Sequence, residues 1–134
     1  MNSKYFYLKF KYFSLNNVRI MAYNIQLADK IRQLLQAFPK LRIKEKKMFG
    51  GLAFMVNDKM CMCVSGENLM CRFDPGIQDA IEKKKGYMPM MMKGKELKGY
   101  CYIAPEGFKR KKDFEYFMST CLEYNKAAKA SKKK

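Results

Sequence analysis

Three short apolar runs, separated by pairs of turn-forming residues, constrain this chain more than any other feature. Leu52 to Val56, Met60 to Val64 and Leu69 to Phe73 each have the length of a strand, and the joints fall at Asn57-Asp58 and Gly66-Glu67. A crossover to a parallel strand takes about a dozen residues or more. Asn-Asp and Gly-Glu pairs suit two-residue hairpin turns instead. The three runs must therefore form an antiparallel meander.

If both turns contain two residues, Met55 lies opposite Met60, Met62 opposite Cys71 and Val64 opposite Leu69. Side-chain alternation then puts Ala53, Met55, Met60, Met62, Val64, Leu69, Cys71 and Phe73 on one face. This face is wholly apolar and is expected to pack under helices. The other carries Leu52, Phe54, Val56, Lys59, Cys61, Cys63, Met70 and Arg72. It is also largely apolar, although an antiparallel sheet normally leaves one face polar. A protein partner or a second copy of the chain is expected to cover it, with Leu52, Phe54, Val56, Cys61, Cys63, Met70 and Arg72 as the contact residues.

Helical patterns frame the meander. From Asn24, a suitable N-cap, Leu27, Ala28, Ile31, Leu34, Leu35 and Phe38 recur at helical spacing until Pro39. Leu41 to Met48 alternates loosely, and Gly50-Gly51 punctuates it. Asp74-Pro75 opens a second helix, and Gly86 closes it after Lys83-Lys84-Lys85, three cations that suit the negative end of a helix dipole. Met88–Met92 and Lys98–Ile103 read as two more strands. Asp113 to Asn125 is the last helix, with an apolar stripe of Phe114, Phe117, Met118, Cys121 and Leu122. The order is α-β(3-4)-α-β(2)-α, an α+β class. Residues 1–20, in which lysines alternate with aromatics from Tyr5 to Phe13, read as an upstream extension or a misplaced start before Met21-Ala22-Tyr23. Residues 21–125 form the domain, and 126–134 form a lysine-rich tail.

At 134 residues, 49% of them hydrophobic, the chain is long enough for one core. Its net charge of +16 suggests a polyanion partner, but nine of the sixteen excess charges sit in residues 1–20 and 126–134. Lysine also outnumbers arginine 23 to 5, and arginine is the side chain suited to bidentate phosphate and guanine contacts. Weak, non-specific nucleic-acid binding is expected, and specific recognition is not. Five cysteines, with no apolar leader in residues 1–20, read as reduced thiols in the cytoplasm. No apolar run approaches the length needed to span a bilayer. Histidine is absent, which removes Ser–His and Cys–His dyads and histidine metal sites together. No catalytic residues and no cofactor are expected.

The run Lys46-Lys47-Met48-Phe49-Gly50-Gly51-Leu52-Ala53-Phe54-Met55 resembles the TfoX (Sxy) N-terminal-domain family. So do Met60-Cys61, Val64-Ser65, Leu69-Met70-Cys71-Arg72, Pro89-Met90, Lys98-Gly99-Tyr100-Cys101-Tyr102-Ile103 and Pro105-Glu106-Gly107. The resemblance covers about residues 21–125, and Lys47, Met48, Phe49, Gly50 and Gly51 carry its most specific part. It implies a two-layer fold with about five antiparallel strands against helices, in agreement with the order above. It also implies a regulatory role in DNA-uptake competence, in which full-length members act with a cyclic-AMP-responsive transcription activator. After residue 125 only the lysine tail follows, so a stand-alone, non-enzymatic interaction module is expected.

Other chemistry has a structural counterpart at each place. Cys61 and Cys63 would lie about 7 Å apart on one face, and with Cys101, Met70 and Met88–Met92 they suggest a Cu(I) or Zn(II) site. Without paired Cys-x-x-Cys knuckles, buried thiols are the better reading. Arg72 opposite Cys61 would favour a redox-sensing thiolate. Gly50-Gly51 beside Lys46 and Lys47 lacks the context of a phosphate loop and reads as a tight turn or bulge. Lys109-Arg110-Lys111-Lys112 precedes the last helix at its positive end, where cations do not help the helix. That run is the candidate nucleic-acid contact, although a solvated loop is the commoner fate of such runs.

Overall fold

The computed structural model describes residues 23–48 and 50–129. A six-stranded antiparallel sheet runs in the order β1-β2-β3-β4-β6-β5. Its strands are β1 (Ile43–Met48), β2 (Gly51–Val56), β3 (Lys59–Ser65), β4 (Asn68–Arg72), β5 (Tyr87–Met92) and β6 (Lys95–Ile103). Four described helices accompany it: α1 (Ile25–Leu35), α2 (Gln78–Glu82), α3 (Pro105–Phe108) and α4 (Lys111–Asn125). The α+β class is as expected. The strand count is one higher because the loosely alternating stretch before Gly50 is a full edge strand.

Local chemistry accounts for most of the boundaries. The Asn24 carboxamide accepts a hydrogen bond from the Leu27 N–H at 2.9 Å, the N-cap anticipated for α1. Asn57 and Asp58 both have positive φ, 51° and 67°, as a type I′ hairpin requires. Lys93 and Gly94, at 53° and 80°, turn β5 into β6 in the same way. The segment after Asp74 is less helical than expected. A 3-10 turn at Pro75–Ile77 leads into α2, which ends at Glu82, so Lys83 to Lys85 lie beyond its last turn.

The β2–β3 hairpin departs from the expected register. Met55 does pair with Met60, but Phe54 pairs with Met62, Ala53 with Cys63 and Leu52 with Val64, which leaves Cys61 as an extra residue in β3. This is a β-bulge, and one added residue exchanges the two faces beyond it. Leu52, Phe54, Val56 and Cys61, expected on the second face, therefore belong to the core under the helices with Met62, Val64, Leu69, Cys71 and Phe73. Ala53 and Met60, expected under the helices, lie on the second face with Cys63, Met70 and Met90, and Met55 packs against them. The close approach at the β2 end of this hairpin also explains the diglycine. A Cβ on Gly51 would collide with the Val64 carbonyl, and Gly50 has φ +70°.

The main core is the helix-side one. Leu27, Ala28, Ile31 and Leu35 of α1 and Phe114, Phe117, Met118 and Cys121 of α4 meet Phe54, Met62 and Leu69 of the sheet and Phe73 just after β4. Gln78 is the buried polar anchor of α2. Its Oε1 accepts from the Gly99 N–H at 2.9 Å, and its Nε2 donates to Glu82 and to the Tyr87 hydroxyl.

Candidate functional site

The second sheet face is continuous across all six strands. The registers align Lys46, Ala53, Cys63, Met70, Tyr102 and Met88 in a single row from β1 to β5. Ala53, Cys63 and Met70 are fully buried, Met60 and Met90 nearly so, and half-buried Met48, Met55, Leu97, Tyr100 and Tyr102 pack around them. Among the described residues, no helix contributes to this cluster. Met and Tyr side chains thus form a second apolar layer on the side of the sheet away from the described helices.

Charge divides between the two sides. The strands contain two carboxylates, Glu45 and Glu96, and both turn toward the helices. Glu45 accepts two hydrogen bonds from Arg32 of α1, at 2.6 and 2.7 Å. Glu96 accepts from the Tyr87 hydroxyl at 2.6 Å. Burial, followed by that hydrogen bond, pushes the Tyr87 hydroxyl well above its ordinary range. Lys44 and Lys46 alternate with Glu45 and so share the second face with their partners Met55 and Ala53. Arg72 borders the face on β4. Its guanidinium donates to the carbonyls of Met60 and Lys129, both at 3.2 Å, and lies between the rings of Tyr100 and Tyr124.

Cys61 and Cys63 do not share a face as their spacing suggested, whereas Cys71 meets Cys101 and Cys121. The bulge separates Cys61 from Cys63 across the sheet. Cys61, Cys71, Cys101 and Cys121 lie in the helix-side core, and Cys63 lies on the second face with Met70. Among the described residues no three His, Cys, Asp or Glu side chains group closely enough to hold a metal ion. Burial, reinforced by Cys121, pushes the Cys61 thiol far up, outweighing Arg72 and Lys59, which pull the other way. Burial alone pushes Cys63 up to about 12. Such thiols stay protonated and unreactive near neutral pH, contrary to a thiolate sensor at Cys61.

The motif residues occupy the first hairpin. Lys47 pairs with Leu52 and Met48 with Gly51, while Phe49 lies outside the described residues. The last helix starts two residues earlier than expected, so Lys109 and Arg110 precede α4 while Lys111 and Lys112 open its first turn; Arg110 pairs with Asp113 at 3.1 Å, and Lys111 lies 4.0 Å from Glu115. Lys109 and Lys112 are exposed. The helix layer also carries an apolar groove of about 610 Å³ between α1 and α4, lined by Leu34, Phe38, Phe114 and Met118 among others. Neither that groove nor the contributions of Lys44, Lys46, Tyr100 and Tyr102 to the second face follow from the sequence reading. The Tyr-Cys-Tyr alternation in β6 was the available signal for the two tyrosines.

No described helix is long and apolar enough to cross a membrane. No curated protein and no solved structure matches the chain. Residues 33–124 match the family model of the TfoX N-terminal domain. With its Lys-Met-Phe-Gly-Gly hairpin and its sheet-and-helix order, this chain belongs to the TfoX N-terminal domain family.

Proposed function

We propose that the domain is a non-enzymatic interaction module of competence-type transcriptional regulation, and that it works in the cytoplasm by docking a protein on its second sheet face. One observation carries this reading. The face presents half-buried Met48, Met55, Leu97, Tyr100 and Tyr102 around a methionine-rich centre, with no strand carboxylate among them. Apolar patches of this kind mark contact surfaces, and methionine adapts readily to a partner's shape. Catalysis has little support: there is no histidine, and the Cys61, Cys63 and Cys71 thiols are held protonated.

A photo-crosslinking amino acid at Met55 tests the reading in cells, with Ser119 on the helix layer as the control position. Protein adducts are expected from position 55 and not from 119. Equal yields at both positions would defeat it.

A second reading, nucleic-acid binding through basic loops and tails, rests on exposed Lys109 and Lys112 and on the terminal charge. Anisotropy of labelled duplex DNA with the full chain at two salt concentrations addresses it. A steep log–log salt slope that Lys109→Glu with Lys112→Glu makes shallower would favour this reading over the first.

A further inference from the structure

Two rows of side chains border the groove in the helix layer. Lys30 and Leu34 on α1 and Phe38 just beyond it form one row, and Phe114, Met118 and Leu122 on α4 form the other. Within each row the residues are four apart, a spacing that keeps them on one side of a helix. Phe114 and Met118 are buried at the base, Leu34 and Leu122 are half-buried, and Phe38 is 43% exposed. About 610 Å³ stays open between the rows, a volume within the range of small-molecule sites.

One charge in this groove is uncompensated. Lys111 lies 4.0 Å from Glu115, so those two offset each other. The Lys30 ammonium stands 4.6 Å from the centre of the Phe114 ring and makes no ion pair among the described residues. The ring takes one side of the ammonium and leaves it hydrogen-bond donors for an oxygen. We propose that the groove binds a small amphipathic carboxylate, its hydrocarbon tail between the two rows and its head on Lys30. The site lies in the helix layer and does not depend on the second sheet face.

Each part of that ligand answers one part of the groove. A tail strips water from the apolar rows, which is favourable in proportion to the area covered. A single ammonium matches a single negative charge. A phosphate monoester carries nearly two and would call for a second free cation, whereas Lys111 is shared with Glu115. A protein segment fits less well. A stable protein interface takes about 20–30 residues a side, and eleven described residues line the groove.

The test titrates the full chain, with isotope-labelled methionine methyl groups, against decanoate, decanol and decyltrimethylammonium, each kept below the concentration at which it forms micelles. Nuclear magnetic resonance follows the Met118 signal, assigned through Met118→Leu. Decanoate is expected to move that signal while the second-face methionines stay in place, and to bind at least about tenfold tighter than decyltrimethylammonium. Lys30→Gln is expected to remove the preference and keep the binding of decanol. Lys44→Gln takes the same charge from the sheet and is expected to change neither, which separates the groove from the general pull of a chain with net charge +16 on anions. Ser119→Trp, checked for native circular dichroism, is expected to fill the groove and abolish binding of all three. Phe38→Ser alters an exposed side chain outside the core and is expected to weaken all three severalfold. A preference that survives Lys30→Gln, or that Lys44→Gln removes equally, overturns the proposal. So does a Met118 signal that decanoate leaves unmoved, or unchanged binding by folded Ser119→Trp. Protein adducts from a photo-crosslinker at Ser119 in cells would make the occupant a protein and overturn it as well.

Discussion

Phe54 and Met55 are neighbours whose roles the Cys61 bulge exchanges. Phe54 is fully buried under α1 and α4, whereas Met55 is half-buried on the far side of the sheet. Phe54→Ala should therefore cost about 3–5 kcal/mol, while Met55→Ala should cost well under half of that. Urea unfolding of the two variants checks the register directly, since equal costs would contradict the bulge. Thiol titration gives a second prediction at this scale. Cys61 and Cys71 are pushed far up and Cys63 to about 12, so the unfolded chain loses thiol protons first. Stability should be complete below the ordinary thiol range and decline as pH rises through it, by about 2 kcal/mol per buried thiol at pH 10. Urea midpoints at pH 7 and pH 10 measure this, and a Cys63→Ala variant should lose correspondingly less over the same interval.

Elements differ in how plainly they announce themselves. α1 and α4 were readable because each shows one apolar stripe and polar residues elsewhere, and the meander was readable because its turns are short. The bulge was not. Met60-Cys61-Met62-Cys63-Val64 is apolar throughout, so both faces of β3 are apolar and the pattern carries no phase. β1 was faint for the opposite reason. Its sequence Ile-Lys-Glu-Lys-Lys-Met has little apolar content, and its helix-side contacts are Ile43 against the core and the Glu45–Arg32 ion pair. The segment after Asp74 looked like one helix, but Pro-Gly at its start leaves a 3-10 turn and only five helical residues in α2. That short helix depends on Gln78. Gln78→Leu would strand the buried Gly99 N–H, and a loss of about 1–3 kcal/mol is expected in denaturant unfolding. Asn24→Ala should cost about 1 kcal/mol through the lost cap of α1, measured in the same way.

For the whole molecule, the sheet divides into a helix-covered side and a second apolar side. The sequence indicated that two apolar faces exist but assigned β2 to the wrong ones. The contacts proposed at Leu52, Phe54, Val56 and Cys61 are consequently core residues, whereas Cys63 and Met70 do lie on the second face, and Arg72 reaches the end of α4, donating to the Lys129 carbonyl. Lys44, Lys46, Tyr100 and Tyr102 join them only once the strand order is known, because β6 inserts between β4 and β5.

The sheet is open, and each of its two outer strands carries its own barrier to growth. β1 offers lysines at three of its six positions, and β5 interrupts its outer row of amide donors with Pro89. Stacking of strand upon strand into a filament is thereby blocked at both ends. Edge-on encounters between copies then lead to no shared sheet. Replacing Lys44, Lys46 and Pro89 with threonine would remove the barriers while leaving the buried layers intact. The expected result is a slow rise in thioflavin fluorescence that the parent chain does not show.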